Sequence, residues 1–287
     1  MRWRDGRRSD NVEDRRGLPA RRGGVVGGGI GTVLIVLAAS YFLGIDPRVL
    51  MQAVPQGGPA PSIETGPAPT PGADPLADFI TVVLGDTEDT WSAIFEKSGQ
   101  TYQPPTLVLF SDAVESACGM GQAAMGPFYC PADQKVYIDL SFYRDLQQRF
   151  NAPGDFAQAY VIAHEVGHHV QTLLGTSERI QAMRQSASSE ADANALSVRL
   201  ELQADCYAGV WAAQANAARN ILESGDIEEG LTAATAIGDD RLQKQATGTV
   251  TPDSFTHGSS EQRVRWFRRG LETGDPGQCR TFETREL

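Results

Sequence analysis

The segment from residue 155 to residue 174 constrains the fold of this 287-residue chain more than any other. Its apolar residues recur at spacings of three and four, which predicts a helix with one buried face. These residues are Phe156, Tyr160, Ala163, Gly167, Val170 and Leu174. On such a helix His164 and His168 are one turn apart, and their imidazoles project from the same side. The segment therefore predicts a packed helix with two candidate metal ligands along one edge.

The chemistry of this motif favours zinc. Neutral imidazole is a preferred zinc ligand, and a catalytic zinc site takes three protein ligands. Glu165 lies three residues before His168, where its carboxylate can take a proton from an attacking water as a general base. The alternative is a chance His-Glu-x-x-His in an ordinary helix. Three of the four histidines of the chain belong to this cluster, which favours the zinc interpretation.

A matching acidic pair lies downstream, where Glu201 and Asp205 are one helical turn apart beside a second apolar stripe. The stripe consists of Leu196, Leu200, Ala204, Tyr207 and Trp211. Inward carboxylates are costly to bury unless a positive partner meets them, and zinc would be that partner. We expect Glu201 to be the third ligand and Asp205 to accept the free ring N–H of a ligand histidine. The alternatives are a solvated helix face or one of three rival ligands in a more polar stretch, Glu178, Glu190 and Asp192.

The two remaining histidines have different positions. His169 points about 100° away from His168 on the helix, so we expect it to pack near the site rather than to bind metal. His257 is a lone histidine just before Gly258 and a predicted helix N-cap in the serines that follow, which favours a structural role. The functional alternative for His257 is a hydrogen bond to the oxyanion of a tetrahedral intermediate. These residues alone leave both roles open.

Four motifs of the chain resemble the neutral zinc metallopeptidase family of bacterial membranes. They are GPFYCP at residues 126–131, AYVIAHEVGHHVQ at 159–171, ELQADC at 201–206 and FTHG at 255–258. The resemblance extends over residues 76–280. It implies peptide-bond hydrolysis with Zn²⁺ as cofactor and a peptide or protein as substrate.

A fainter similarity links the chain to the Ste24-like membrane peptidases. That group shares the helix motif, a later Glu-x-x-x-Asp with the glutamate on zinc, and a downstream Thr-His-Pro segment. Here the corresponding residues are Thr256, His257 and Gly258, so glycine replaces the proline. The similarity favours His257 as a catalytic donor.

The order of the predicted elements is helix, small sheet, then mostly helices, which is typical of an α+β fold. We expect one broken helix or two short helices within residues 76–97, and three strands at Thr106–Phe110, residues 126–130 and Lys135–Asp139. The strand Lys135–Asp139 is a candidate to pair with an extended substrate. The prediction is a mostly helical, zincin-like domain with a small β-sheet over residues 76–287.

The N-terminal quarter predicts a membrane anchor. Residues 1–22 are rich in arginine, and residues 23–45 contain no charged residue. As a helix, residues 23–45 would just span a bilayer core of roughly 30 Å. The arginines favour a cytoplasmic N-terminus, which would place the domain outside the cell membrane. A cleavable signal peptide is the alternative, and residues 46–75 predict an extended Pro/Gly-rich linker.

The four cysteines, Cys118, Cys130, Cys206 and Cys279, all follow the apolar segment. An even set of this kind predicts disulfides in an oxidising compartment. Of the three possible connectivities, proximity along the chain favours Cys118–Cys130, which leaves Cys206–Cys279. No pair has the Cys-x-x-Cys spacing, so we do not expect a cysteine zinc site.

The net charge and the intact motif help to decide between classes of function. The net charge is −11, and eight of the arginines lie within residues 1–24. The acidic remainder argues against a nucleic-acid partner, which needs clustered Lys and Arg. A rival interpretation is a zinc-stabilised, non-catalytic scaffold that binds partners at the outer membrane face. Glu165 argues against it, because a structural zinc needs no base and takes four protein ligands. A weaker rival is a hydrolase of non-peptide bonds, and the sequence predicts no particular oligomeric state.

Overall fold

Residues 1–17, 74–123 and 126–287 are described by the structure, a computed structural model. They form eight α-helices and two small sheets. The predicted class, a mostly helical α+β fold, is confirmed.

The strands are β1 (Val12–Asp14), β2 (Thr106–Phe110), β3 (Ala113–Ser116), β4 (Gly119–Gln122), β5 (Phe128–Cys130) and β6 (Lys135–Asp139). Four of them form a mixed sheet in the order β1-β2-β6-β5, in which β1, β2 and β6 are parallel and β5 is antiparallel to β6. The strands β3 and β4 form a separate hairpin. The predictions of β2 and β6 are confirmed, whereas β5 is shorter than predicted and β1, β3 and β4 were not predicted.

The helices are α1 (Pro75–Lys97), α2 (Ser141–Gln148), α3 (Asp155–Leu173), α4 (Thr176–Gln185), α5 (Glu190–Arg219), α6 (Asp226–Ala236), α7 (Asp239–Thr247) and α8 (Ser260–Thr273). The prediction of a broken helix in residues 76–97 is wrong, because α1 is continuous. The Asp74 side chain caps its start by accepting from the backbone N–H groups of Leu76 and Ala77. Gly85 in its middle lies against the N-terminal segment, where a Cβ would come 2.6 Å from the carbonyl oxygen of Arg7.

Helix α5 lies between α3 and α8, and two glycines allow these helices to approach closely. A Cβ on Gly167 of α3 would lie 2.9 Å from the carbonyl oxygen of Ala204 on α5. On α8, a Cβ on Gly270 would overlap the carbonyl oxygen of Cys206. The backbones therefore cross without intervening side chains, which brings residues 201–206 of α5 next to the histidines of α3.

Residues 1–17 belong to the same compact unit as the domain. Strand β1 pairs with β2 in parallel, with Val12 opposite Leu107 and Asp14 opposite Leu109. The Val12 side chain is buried and belongs to the main hydrophobic core. The prediction of residues 1–22 as a separate segment and of a domain that begins at residue 76 therefore needs correction, since the domain includes residues 1–17.

Two arginines of this N-terminal segment, Arg7 and Arg8, contact carboxylates of α1. Arg8 donates to both oxygens of Asp78 at 2.6 Å. Arg7, Ser9 and Asn11 donate to Glu88, a carboxylate that is only 5% exposed. A buried carboxylate needs such partners, because burying an unpaired charge is costly. These arginines are part of the fold rather than a free cationic cluster.

Both predicted disulfides are confirmed. Cys118–Cys130 joins the β3–β4 turn to the end of β5, and Cys206–Cys279 joins α5 to the C-terminal segment. The predicted anchor at residues 23–45 and nearly all of the linker at 46–75 lie outside the described residues. Among the helices that the structure describes, none is long and apolar enough to cross a bilayer.

Candidate metal centre

His164 and His168 on α3 converge with Glu201 on α5. The Nε2 atom of His164 is 3.2 Å from one oxygen of Glu201, and Nε2 of His168 is 3.4 Å from the other. Two ligand atoms that bind one tetrahedral zinc at 2.0–2.1 Å are roughly 3.3 Å apart. Two imidazoles and one carboxylate are also the donor set of many catalytic zinc sites. The three residues therefore fit a zinc ion.

Each histidine has a hydrogen-bond acceptor at its other ring nitrogen. Nδ1 of His164 is 2.8 Å from Oδ1 of Asp205, and Nδ1 of His168 is 2.9 Å from Oε1 of Gln171. Because both acceptors require an N–H at Nδ1, they leave the lone pair at Nε2 in the neutral ring. Both histidines are thus held in the tautomer that presents Nε2 to a metal.

Asp205 lies in a buried polar network with Arg263 and Tyr160. Arg263 donates to both carboxylate oxygens at 2.9 Å, and the hydroxyl of Tyr160 donates to Oδ1 at 2.5 Å. Burial alone would raise the pKa of Asp205, but Arg263 and His164 lower it to about 2. Burial likewise opposes a charge on His164, yet the carboxylates of Asp205 and Glu201 raise its pKa to about 10. Asp205 is therefore a fixed anion beside the first histidine.

Gln171 connects the second histidine to α5. Its side-chain amide donates to the carbonyl oxygen of Leu200 at 2.7 Å and to Oε1 of Gln203 at 3.2 Å. Gln203 in turn donates to the carbonyl oxygen of Cys279. Gln171 is fully buried, so it holds His168 and the backbone next to Glu201 in one hydrogen-bonded unit.

Glu165 and the three candidate ligands line a cavity of about 880 Å³. Glu165 is 8% exposed, whereas neighbouring Val166 on the same helix is fully buried. The cavity is also lined by Phe128 and Tyr129 from β5 and by His257. Its size and its mixture of aromatic and polar lining are those of a ligand-binding cleft.

His257 lies in a loop that wraps around Asp239 at the start of α7. Nδ1 of His257 is 3.1 Å from Oδ1 of Asp239. The next residue, Gly258, has φ of 92°, which a proline ring excludes. The glycine that replaces the proline of the Thr-His-Pro segment therefore has a structural reason. His257 both binds Asp239 within its loop and lines the cavity.

His169 packs away from the three candidate ligands. Its Nε2–H donates to the carbonyl oxygen of Gln103 at 2.6 Å, so Nδ1 accepts from the hydroxyl of Tyr129 at 3.1 Å. Burial lowers the pKa of His169, which keeps the ring neutral. His169 thereby fixes β5 against the helix that carries the motif.

The rival acidic residues do not join the histidines. Ser189 caps the start of α5 by accepting from the backbone N–H of Asp192, and Glu190 is exposed there. Glu178 lines the cavity but is exposed on α4. Among the described residues, a second group could hold a cation, namely Asp155, Asp226 and Glu229. The α-amino group of Met1 already donates to Asp155 and Asp226.

Three residues of this site were missed from the sequence: Gln171, Asp239 and Arg263. Gln171 had a signal, because it follows His168 by three residues on the same helix and so can reach its ring. Asp239 and Arg263 lie far from the motif along the chain, on other helices. Arg263 is one of four arginines on its amphipathic helix, a pattern typical of solvated residues, so only the tertiary fold reveals its burial.

Comparisons with known proteins agree with this geometry. A family model described as "Putative neutral zinc metallopeptidase" matches residues 1–282. The chain is 52% identical over 295 residues to "Uncharacterized protein YpfJ" of Escherichia coli K12, covering 98% of this chain and 99% of that protein. It is 40% identical over 261 residues to "Uncharacterized protein Rv2575" of Mycobacterium tuberculosis H37Rv, covering 86% of each. No solved structure matches.

Proposed function

Because the chain belongs to the family of putative neutral zinc metallopeptidases, we propose that it is a zinc-dependent peptidase in which His164, His168 and Glu201 bind the metal. The observation that carries the proposal is the spacing of the three ligand atoms next to Glu165 in one cleft. An open zinc site with a neighbouring carboxylate is the arrangement of metal-assisted hydrolysis.

Each protein group has a defined task in this reaction. When bound, zinc supplies a Lewis acid that activates a water and polarises the scissile carbonyl group. Glu165 takes the proton of the attacking water and returns it to the leaving amine. His257 donates from Nε2 to the oxyanion of the tetrahedral intermediate. Asp205 and Gln171 keep the two ligand histidines oriented.

The edge of the sheet is the candidate site for an extended peptide. The sequence-based candidate Lys135–Asp139 is wrong, because β6 already pairs with β2 on one side and β5 on the other. Strand β5 is at the edge of the sheet and lines the cavity through Phe128 and Tyr129. An edge strand can add a peptide by backbone hydrogen bonds. We therefore propose that the substrate pairs with β5.

Peptide hydrolysis by the full chain tests the proposed function. A library of unstructured peptides is incubated with zinc-loaded protein, with chelator-treated protein, and with chelated protein to which zinc has been restored. Cleavage should be lost on chelation and recovered with zinc. Cleavage that is unaffected by chelation would refute the zinc mechanism.

Glu201→Ala is expected to weaken zinc binding, because it removes one of three ligands while leaving both histidines in place. We expect one zinc per parent chain, and a variant that loses its zinc to a chelator at a far lower chelator concentration. Glu190→Ala, an exposed residue at the start of the same helix, is the matched control and should bind zinc like the parent. If Glu201→Ala retains zinc as tightly as the parent, the third ligand is a different residue.

The scaffold alternative makes the opposite prediction for catalysis. A non-catalytic zinc protein would bind the metal, lose stability on chelation and cleave no peptide. The presence of Glu165 in the cleft beside the open metal site favours the enzyme. A hydrolase of non-peptide bonds would share the metal dependence and differ only in the substrate library that it cleaves.

We propose that the domain works in an oxidising compartment, attached to the cell membrane through residues 23–45. The two disulfides support the compartment, since such bonds persist outside the reducing cytosol. The apolar composition of residues 23–45 supports the attachment.

A further inference from the structure

Asp239 contacts the His257 loop more extensively than a single ion pair requires. Its Oδ2 atom accepts from three consecutive backbone N–H groups, those of Thr256, His257 and Gly258, at 2.7, 2.6 and 3.1 Å. Its own backbone N–H donates to the carbonyl oxygen of Gly258. A proline at position 258 would lack the third of these donors. The loop that presents His257 is thus built around one buried carboxylate.

The same carboxylate fixes the ring of His257. Oδ1 of Asp239 lies 3.1 Å from Nδ1 of His257, which requires the hydrogen to be on Nδ1 in the neutral ring. Nε2 is then the nitrogen left for a ligand in the cavity that His257 lines. Because Nε2 carries a hydrogen only when the ring is also protonated, donation from Nε2 requires the imidazolium form.

The charges around His257 favour that form. The hydrogen bond to Asp239 raises the pKa of His257, and the carboxylate of Glu201 on α5 raises it further. Burial and the guanidinium of Arg263 on α8 lower this pKa. Burial alone would raise the pKa of Asp239, but hydrogen bonds from the side chain and backbone of His257 lower it. Asp239 therefore stays ionised beside the ring.

We propose that Asp239 is the positioning residue of His257: its carboxylate holds the ring with Nε2 available to the cleft and, from its place at Nδ1, favours the imidazolium over the neutral ring. The proposal rests on the proposed function only for its catalytic consequence. An imidazolium donor at this place stabilises the oxyanion of the transition state rather than the bound substrate, so it acts on kcat and not on KM.

Asp239→Asn tests the proposal, with Asp240→Asn as the matched control. Asp240 is the next residue of α7 and binds Ser260 instead of His257. The first readout is the NMR titration of His257 in the zinc-loaded full chain, assigned with His257→Gln. The pKa of His257 should fall in Asp239→Asn and stay unchanged in Asp240→Asn. An unchanged pKa in both variants would refute the proposal, whatever the protein hydrolyses.

The second readout is the pH dependence of hydrolysis. Activity that needs protonated His257 is lost as the pH rises through its pKa, so in Asp239→Asn this loss should begin at a lower pH than in the parent. We expect kcat to fall about tenfold with little change in KM, within the range for losing an oxyanion donor. In the His257→Gln background, Asp239→Asn should cause no further loss. If Asp239→Asn lowers kcat equally in the parent and in the His257→Gln background, Asp239 acts on something other than His257. Failure of the peptidase function itself would instead appear as an absence of zinc-dependent cleavage by the parent.

The docked N-terminal segment carries an independent inference. Strand β1 shares a sheet with β2, and the Arg16 guanidinium contacts Asp74 at 2.5 Å. The two ends of residues 18–73 are thus attached to one folded unit. A single membrane crossing within residues 18–73 would separate these ends. We infer that residues 1–17 and residues 74–287 lie on the same side of any membrane to which the protein is attached.

This inference differs from the expected cytoplasmic N-terminus, whose basis was the arginine-rich segment before residue 23. Single cysteines at Asp10 and Gln100 test it, because both side chains are exposed and none of the four native cysteines is free. A membrane-impermeant maleimide is added to intact cells and to permeabilised cells. Both positions should show the same labelled fraction before permeabilisation. If one is labelled and the other protected, the inference is overturned; labelling of both would also support the oxidising compartment.

Discussion

Glu165→Gln is expected to lower peptide hydrolysis by at least about 10²-fold, the usual contribution of a general base. The amide has the size of the carboxylate but cannot take a proton from the attacking water. Since Glu165 is next to the ligands and is not one of them, zinc content and thermal stability should stay near those of the parent. The measurement is kcat/KM on a cleaved peptide, together with metal analysis and a thermal melt.

Two further variants are compared with Glu165→Gln. Glu190→Gln makes the same chemical change at an exposed position and should leave hydrolysis unchanged. His257→Ala should keep zinc and lose on the order of tenfold to a thousandfold if it donates to the oxyanion. A Glu165→Gln protein that cleaves peptides as fast as the parent would exclude the mechanism. A parent that cleaves nothing in a broad library would favour the scaffold interpretation.

The local parts of the fold were predictable from the sequence, and the long-range parts were not. Helix α3 and strands β2 and β6 have strong periodicity or β-forming composition, so their residues specify them. Strand β1 has only three residues, and its charged flanks resemble the cytoplasmic side of an anchor. Only its pairing with β2, about 95 residues later, shows that it belongs to the sheet.

The same distinction applies to the candidate metal centre. His164, His168, Glu201 and Asp205 could be predicted from their spacing on single helices, because residues four apart share a face, and Glu165 lies within the same motif. Two of the groups that complete the site come from helices that reach it only after folding. Arg263 and Asp239 lie on α8 and α7, and no pattern in the sequence relates them to α3. Close helix crossings at Gly167 and Gly270 bring α3, α5 and α8 together, and Arg263 reaches the site on α8.

Asp205→Asn is expected to be among the most destabilising conservative changes in the chain. It keeps the shape of the side chain but removes the charge that compensates Arg263, whose side chain is 3% exposed. Breaking a buried pair on one side costs about 3–5 kcal/mol, because the remaining charge is buried without a partner. The free energy of unfolding is measured by denaturant titration with the disulfides intact.

The same variant should also weaken zinc binding, by about 10- to 100-fold, because Asp205 orients His164. Combining it with Arg263→Met separates the two effects. The double variant should regain part of the stability, since no unpaired charge remains, but should not regain zinc affinity, since His164 still lacks its anionic acceptor.

The exposed pair Glu261–Arg265 on α8, the helix that carries Arg263, provides the matched control. Glu261→Gln should leave both stability and zinc affinity close to the parent's. If Asp205→Asn unfolds at the same denaturant concentration as the parent and competes equally with a chelator, Asp205 neither compensates Arg263 nor orients the ligand. Recovery of zinc affinity in the double variant would mean instead that the buried charge, and not the lost acceptor, had disturbed the metal centre.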